Sequence, residues 1–253
     1  MNRWLLTLLL LLPTGALAAA PVGINDVIQT LEAPFRANAP FSEAITDFQA
    51  DFFQESYIAA LDKKQRGEGT VAVKFVPGIA GRVPQVMFRW EYRQPNEQEI
   101  VSDGRTMWVY LPENRQVIES DISAVSRARG GDPLTFLSGL GNLSRDFTIT
   151  WAMPNQDSQG NYVLDLQPRR TSSLFRQMLV VVDRDAVAAR QRNQPDPRIL
   201  PILSTTAIDP SDNRTIIEFS RARTNVNLAE MVFRFNMPPG VDVVRPSGAE
   251  MGY

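Results

Sequence analysis

The side chains of this chain that stand out as able to do something are aromatic. Residues 88–92 read FRWEY and residues 99–110 read EIVSDGRTMWVY, so Phe88, Trp90, Tyr92, Trp108 and Tyr110 fall in two neighbouring short runs. Rings two residues apart on a strand share one face, and such a face is either an ordinary core or a surface for an apolar ligand. The usual catalytic groups are missing. There is no histidine and no cysteine, which removes a Ser-His-Asp triad, thiol chemistry, disulfides and a His/Cys zinc site. No group of carboxylates has a spacing that argues for acid–base catalysis, and Asp103, just before Gly104, reads as a turn former. Neither an enzyme, a cofactor nor a metal is expected.

The N-terminus says where those aromatics operate. MNRWLLTLLLLLPTGALA has Arg3, an apolar run from Trp4 to Leu12 and a small-residue end at Ala16-Leu17-Ala18. That pattern is a cleavable signal peptide over 1–18, and its apolar run is shorter than the roughly 20 residues a bilayer crossing requires. Without cysteine there is no lipid-modified N-terminus, so residues 19–253 are expected to be one soluble domain outside the cytoplasm. Loss of Arg3 leaves 25 basic against 28 acidic residues, a net charge of −3. That balance does not suggest a nucleic-acid partner, and a monomer is expected.

The elements that must position the aromatics follow from periodicity. Ile24, Val27, Ile28, Leu31 and Phe35 recur at helical spacing, so an amphipathic helix is expected over 24–36, ended or kinked at Pro34. From residue 45 the period becomes two. Strands are expected at 45–54, 67–76, 85–94, 99–102, 105–112, 115–119, 147–152, 161–167, 176–183, 203–208, 214–221 and 230–236, mostly without helices between them. The fold class is therefore mainly β with a few helices, a curved or closed antiparallel sheet. Asp132-Pro133 starts a short apolar helix carrying Leu134, Phe136, Leu137 and Leu140 within an irregular stretch, 121–144. Residues 186–201 contain three prolines and read as a surface insertion.

Asp103-Gly104 signals a two-residue hairpin turn, pairing Ser102 with Arg105 and Glu99 with Trp108. A two-residue turn at Pro95-Asn96 would set Tyr92 opposite Glu99 and Trp90 opposite Val101. One face would then carry Phe88, Trp90, Tyr92, Val101, Trp108 and Tyr110, with Glu99 an awkward carboxylate among them. A slip of one residue would instead send Ile100 and Met107 inward and Trp108 outward.

The order FRWEY, QP, IVSDG, TMWVY resembles the periplasmic outer-membrane lipoprotein carrier family, the LolA-type lipoprotein chaperones. ITDFQADFFQ (45–54), GEGTVAVK (67–74), DPLTFLSG (132–139) and FRFNMPPGVDVV (233–244) resemble that family's first strand, second strand, lid helix and closing segment. The resemblance implies a strongly curved, incompletely closed antiparallel half-barrel with a short helical lid. It implies a cavity for acyl chains lined by Phe88, Trp90, Tyr92, Val101, Trp108 and Tyr110, and a lid using Leu134, Phe136, Leu137 and Leu140. The implied partners are acylated lipoproteins, an inner-membrane lipoprotein-releasing ABC transporter and an outer-membrane acceptor, in the periplasm. The family's arginine that holds the lid shut is not in its usual place after Lys74, and Arg82 is the candidate for a displaced equivalent. A regulatory domain that senses lipid or lipoprotein on the same half-barrel is the alternative.

Overall fold

Alternation of apolar and polar residues dictates strands, and in the computed structural model they form one sheet of twelve. The structure describes residues 21–76, 85–122, 136, 139–171 and 176–245. The expected signal peptide, Arg82, Leu134 and Leu137 lie outside the described residues. The strands are β1 (Asp47–Ile58), β2 (Lys63–Val76), β3 (Gln85–Gln94), β4 (Gln98–Ser102), β5 (Thr106–Leu111), β6 (Gln116–Asp121), β7 (Phe147–Gln156), β8 (Tyr162–Pro168), β9 (Gln177–Val182), β10 (Ile202–Ile208), β11 (Arg214–Thr224) and β12 (Asp242–Val244). Their order is β12-β6-β5-β4-β3-β2-β1-β11-β10-β9-β8-β7. The outermost strands, β12 and β7, do not pair with each other, so the barrel stays open, as the half-barrel expectation required. Every pairing is antiparallel except the short parallel one of β12 with β6.

The sheet curls strongly. Two strands separate β3 from β11, roughly 14 Å across a flat sheet, yet the rings of Trp90 and Phe219 approach to 6.2 Å between centroids. The inner face thus gathers one continuous apolar core from both halves, running from Phe88 and Trp90 through Phe48 and Phe52 to Val180 and Leu164.

Among the described residues, three short helices supplement the sheet. Helix α1 spans Ile24–Glu32 and passes into a 3-10 turn, Ala33–Phe35, at Pro34. Its apolar stripe buries Val27 and Leu31 completely. A second 3-10 turn, Leu140–Asn142, leads into α2 (Leu143–Asp146). Helix α3 (Arg184–Gln191) occupies the start of the stretch expected as a surface insertion over 186–201. Asp183 caps it by accepting from the backbone N–H of Asp185 and Ala186, and it packs on α1 with Val187 fully buried. The strand expected at 230–236 is absent. Those residues form a 3-10 turn, Glu230–Phe233, within a strap over 225–241 that runs across the outer face. No helix among the described residues is long and apolar enough to cross a membrane.

Candidate functional site

The inner face is built by alternation on five adjoining strands. Phe48 and Phe52 come from β1, Val71 and Val73 from β2, Phe88 and Trp90 from β3, Ile100 from β4 and Met107 from β5, and all are buried. Phe52 meets Trp90 and Tyr92 edge-on, each at 4.8 Å between centroids, an arrangement that aromatic quadrupoles favour. Gly69 on β2 makes room for these rings. A Cβ there would overlap the Glu91 carbonyl oxygen and stand 2.9 Å from the Phe52 ring. Trp90 is 1% exposed, and its Nε1–H has no acceptor among the described residues. Toward the end of β1 the face turns polar. There the Tyr92 hydroxyl donates to Gln54 Oε1 at 2.8 Å, and Gln54 Nε2 donates to Ser56 Oγ at 3.1 Å.

Of the six residues expected on this face, the structure brings together Phe88, Trp90 and Tyr92. Val101, Trp108 and Tyr110 are on the opposite side. The cause is the first turn. The connection from β3 to β4 takes three residues, 95–97, so Trp90 pairs with Ile100 and Tyr92 with Gln98. The second turn is also longer than two residues, since Ser102 pairs with Met107. Asp103 Oδ1 holds it by accepting from the N–H groups of Arg105 and Thr106 at 2.8 and 2.7 Å. That difference is of two residues and preserves the faces, whereas the first, of one residue, inverts them. Ile100 and Met107 therefore point inward.

Glu99 leaves the aromatic interior by the same inversion. It sits outside opposite Glu91, paired with Arg89. Burial pushes its pKa up, Arg89 opposes that shift, and the neighbouring Glu91 adds to it. The Arg89 side chain is only 24% exposed.

The inner face is closed by helices rather than by strands. Leu140 and Leu143 are buried at 1% and 0% exposure, and Phe136 joins the same core. Glu32, at the end of α1 and 2% exposed, accepts from the Ser144 backbone N–H at the start of α2 and from Arg36 Nη2 at 2.8 Å. Gly141 lets the second 3-10 turn touch the first, where a Cβ would come within 2.6 Å of the Phe35 carbonyl oxygen. Sequence reasoning missed Glu32, because a single carboxylate at a helix end carries no periodic signal.

On the outer face Trp108 stacks on Phe235 of the strap, with centroids 5.8 Å apart, and Tyr110 lies 6.2 Å from the same ring. Phe233, Val101 and Val117 are wholly buried. Lys74 Nζ donates to the Leu228 carbonyl at 2.6 Å and Arg89 Nη1 to the Val232 carbonyl at 3.0 Å, fixing the strap along its length.

Comparison with known proteins adds a family to this geometry. Residues 43–236 match the family described as outer membrane lipoprotein carrier protein LolA. An outer-membrane lipoprotein carrier protein of Neisseria meningitidis serogroup C is 30% identical over 216 residues, which is 82% of this chain and 88% of that one. The protein of the same name from Methylobacillus flagellatus is 27% identical over 223 residues, 87% and 89% of the two chains. Among solved structures, a LolA superfamily protein from Nitrosomonas europaea is 15% identical with a TM-score of 0.38, covering 85% of this chain and 99% of that one.

Proposed function

The chain belongs to the LolA family of outer membrane lipoprotein carrier proteins, and from that premise we propose that its inner face receives the acyl chains of lipoproteins. It is a carrier and not an enzyme. In this reading it works in the periplasm, taking lipoproteins released by an inner-membrane ABC transporter and passing them to an outer-membrane acceptor.

The observation that carries the reading is the contrast within the core. Among the described residues, one continuous aromatic and aliphatic surface is roofed by α1, α2 and Phe136, which meet it through apolar side chains and not through a strand ladder, while Glu32 ties α1 to α2. Such a roof can separate while the sheet stays intact. The driving force is ordinary transfer energy. Each buried CH₂ contributes about 0.8 kcal/mol, so a dozen methylenes supply roughly 10 kcal/mol. No hydrolysis is needed to hold such a ligand. The empty protein closes its own apolar face with Leu140, Leu143 and Phe136, and cargo competes with those side chains for the same surface. The two states are therefore biased by ligand in the sense of a population shift.

The test is to mix the mature protein with a detergent-solubilised triacylated lipoprotein and remove the detergent. A soluble one-to-one complex is expected. If the lipoprotein stays insoluble at any excess of carrier, the proposal fails.

A further inference from the structure

Where the strap crosses β1, β2, β3 and β11, the outer face holds a concavity of about 840 Å³ lined by Arg89, Arg221, Arg223 and Arg234 together with Asp51 and Glu91. It lies on the far side of the sheet from the proposed acyl-chain surface. Two of its guanidinium groups are already neutralised. Arg89 donates to Glu91 at 2.8 Å and pairs with Glu99, and Arg221 pairs with Asp51. Arg223 donates to the side-chain oxygen of Gln49. Among the described residues neither Arg223 nor Arg234 has a carboxylate partner. Two exposed positive charges thus converge on one hollow without compensation.

The backbone is shaped to place them. Between β1 and β11 the register breaks, with Gln49 opposite Arg223 and Asp51 opposite Ser220. The extra residue is Arg221, held at φ +52°, a left-handed conformation that an ordinary side chain disfavours. The bulge leaves Phe219 and Ala222 packed in the core while Ser220, Arg221 and Arg223 are all exposed. Bulges re-aim side chains in this way next to binding sites.

The chemistry around the hollow selects its occupant. Guanidinium forks suit a carboxylate or phosphate group. A polyanionic protein segment is disfavoured, because Asp51 and Glu91 line the hollow and Glu68 and Glu218 are exposed on the same outer face. A single phosphate seated on Arg223 and Arg234 meets less of that repulsion than a run of acidic side chains laid across the hollow. Beside the arginines, Met231 is 73% exposed and Met237 is 43% exposed, which gives the rim an apolar contact of the kind found at a lipid–water boundary. We propose that this hollow binds the phosphate group of an anionic phospholipid headgroup, so that the carrier can touch a membrane through its outer face while its inner face stays free for cargo.

The test is flotation of the mature protein with phosphatidylcholine vesicles, alone, with phosphatidylglycerol, or with oleate at the same surface charge. Binding to the phosphatidylglycerol vesicles is expected to exceed both others. Changing both Arg223→Gln and Arg234→Gln should weaken it about thirtyfold, taking about 1 kcal/mol for each basic residue at the membrane surface. Both positions are exposed, so near-UV circular dichroism should be unchanged. Arg66→Gln, 67% exposed and paired with Glu55 on the same sheet, should leave flotation intact. The proposal is overturned if the double variant floats like the parent, if Arg66→Gln weakens binding as much, or if oleate vesicles bind equally well. It is also overturned if glycerol phosphate shifts the Arg223 and Arg234 Nε–H resonances while no vesicle is bound.

Discussion

The two faces of the sheet over β3–β5 both carry aromatic rings and treat them in opposite ways. Inside, Phe88, Trp90 and Tyr92 are covered by α1, α2 and Phe136, elements that meet the sheet through side chains. Outside, Trp108 and Tyr110 are covered by Phe235 of a strap tied to the sheet by Lys74, Arg89 and the β12–β6 pairing. An aromatic face closed by the chain's own hydrogen-bonded strap is filled permanently. One closed by short helices that meet the sheet through apolar side chains is, in the function proposed above, the face that changes its contents. The lesson is that a cluster of rings does not by itself mark a binding surface; the way it is covered does.

Substitutions that hit one face and spare the other test this contrast. The largest effect is expected from Trp90→Ala, which should cost about 3–5 kcal/mol in denaturant unfolding. Its acidic counterpart, Trp90→Glu, should abolish loading of triacylated lipoprotein, whereas Trp108→Glu should lower stability and leave loading in place. Equal loss of loading in the two would break the face assignment. Gly69→Ala comes next, at about 3 kcal/mol, since the new methyl overlaps the Glu91 carbonyl and presses on Phe52. Glu32→Gln should cost about 1–2 kcal/mol, because it weakens the charge-assisted bonds to Ser144 and Arg36, and it should speed amide exchange at Leu143–Asp146 specifically. The smallest effect concerns Glu99. Its folded pKa is raised, so its contribution to stability is full below the ordinary value of 4.5 and is lost as pH rises through the folded value. Thermal melts should show the parent gaining stability over Glu99→Gln as pH falls from neutral toward that value. A gain with rising pH would contradict the burial assigned to Glu99.

Much of this arrangement is legible in the residues themselves. Strict alternation in DFQADFF and FRWEY places Phe48, Phe52, Phe88, Trp90 and Tyr92 on one side, because side-chain direction in a strand follows parity alone. Parity is also where the reading fails. Whether Trp108 joins Trp90 depends on the 95–97 turn having an odd or even length, and nothing in QPNE fixes that before tertiary packing does. The strap reads as a strand for a related reason. Phe233 and Phe235 alternate as strand residues do, and they do point to one side, but their partner is a sheet face and not a neighbouring strand. Helix α3 is hidden by the prolines that follow it, although Asp183 ahead of an alanine-rich run is an N-cap signal. The outer arginine hollow has no linear signature, since its four arginines come from β3, β11 and the strap.

The central claim is that the inner cover is exchangeable and the outer strap is not. Hydrogen exchange followed by mass spectrometry, with and without a bound triacylated lipopeptide, measures both in one experiment. The account predicts changed protection in α1 and across Leu140–Asp146 on loading, with the strap at 225–241 unchanged. Changed protection in the strap, with α1 and α2 indifferent to cargo, would contradict it.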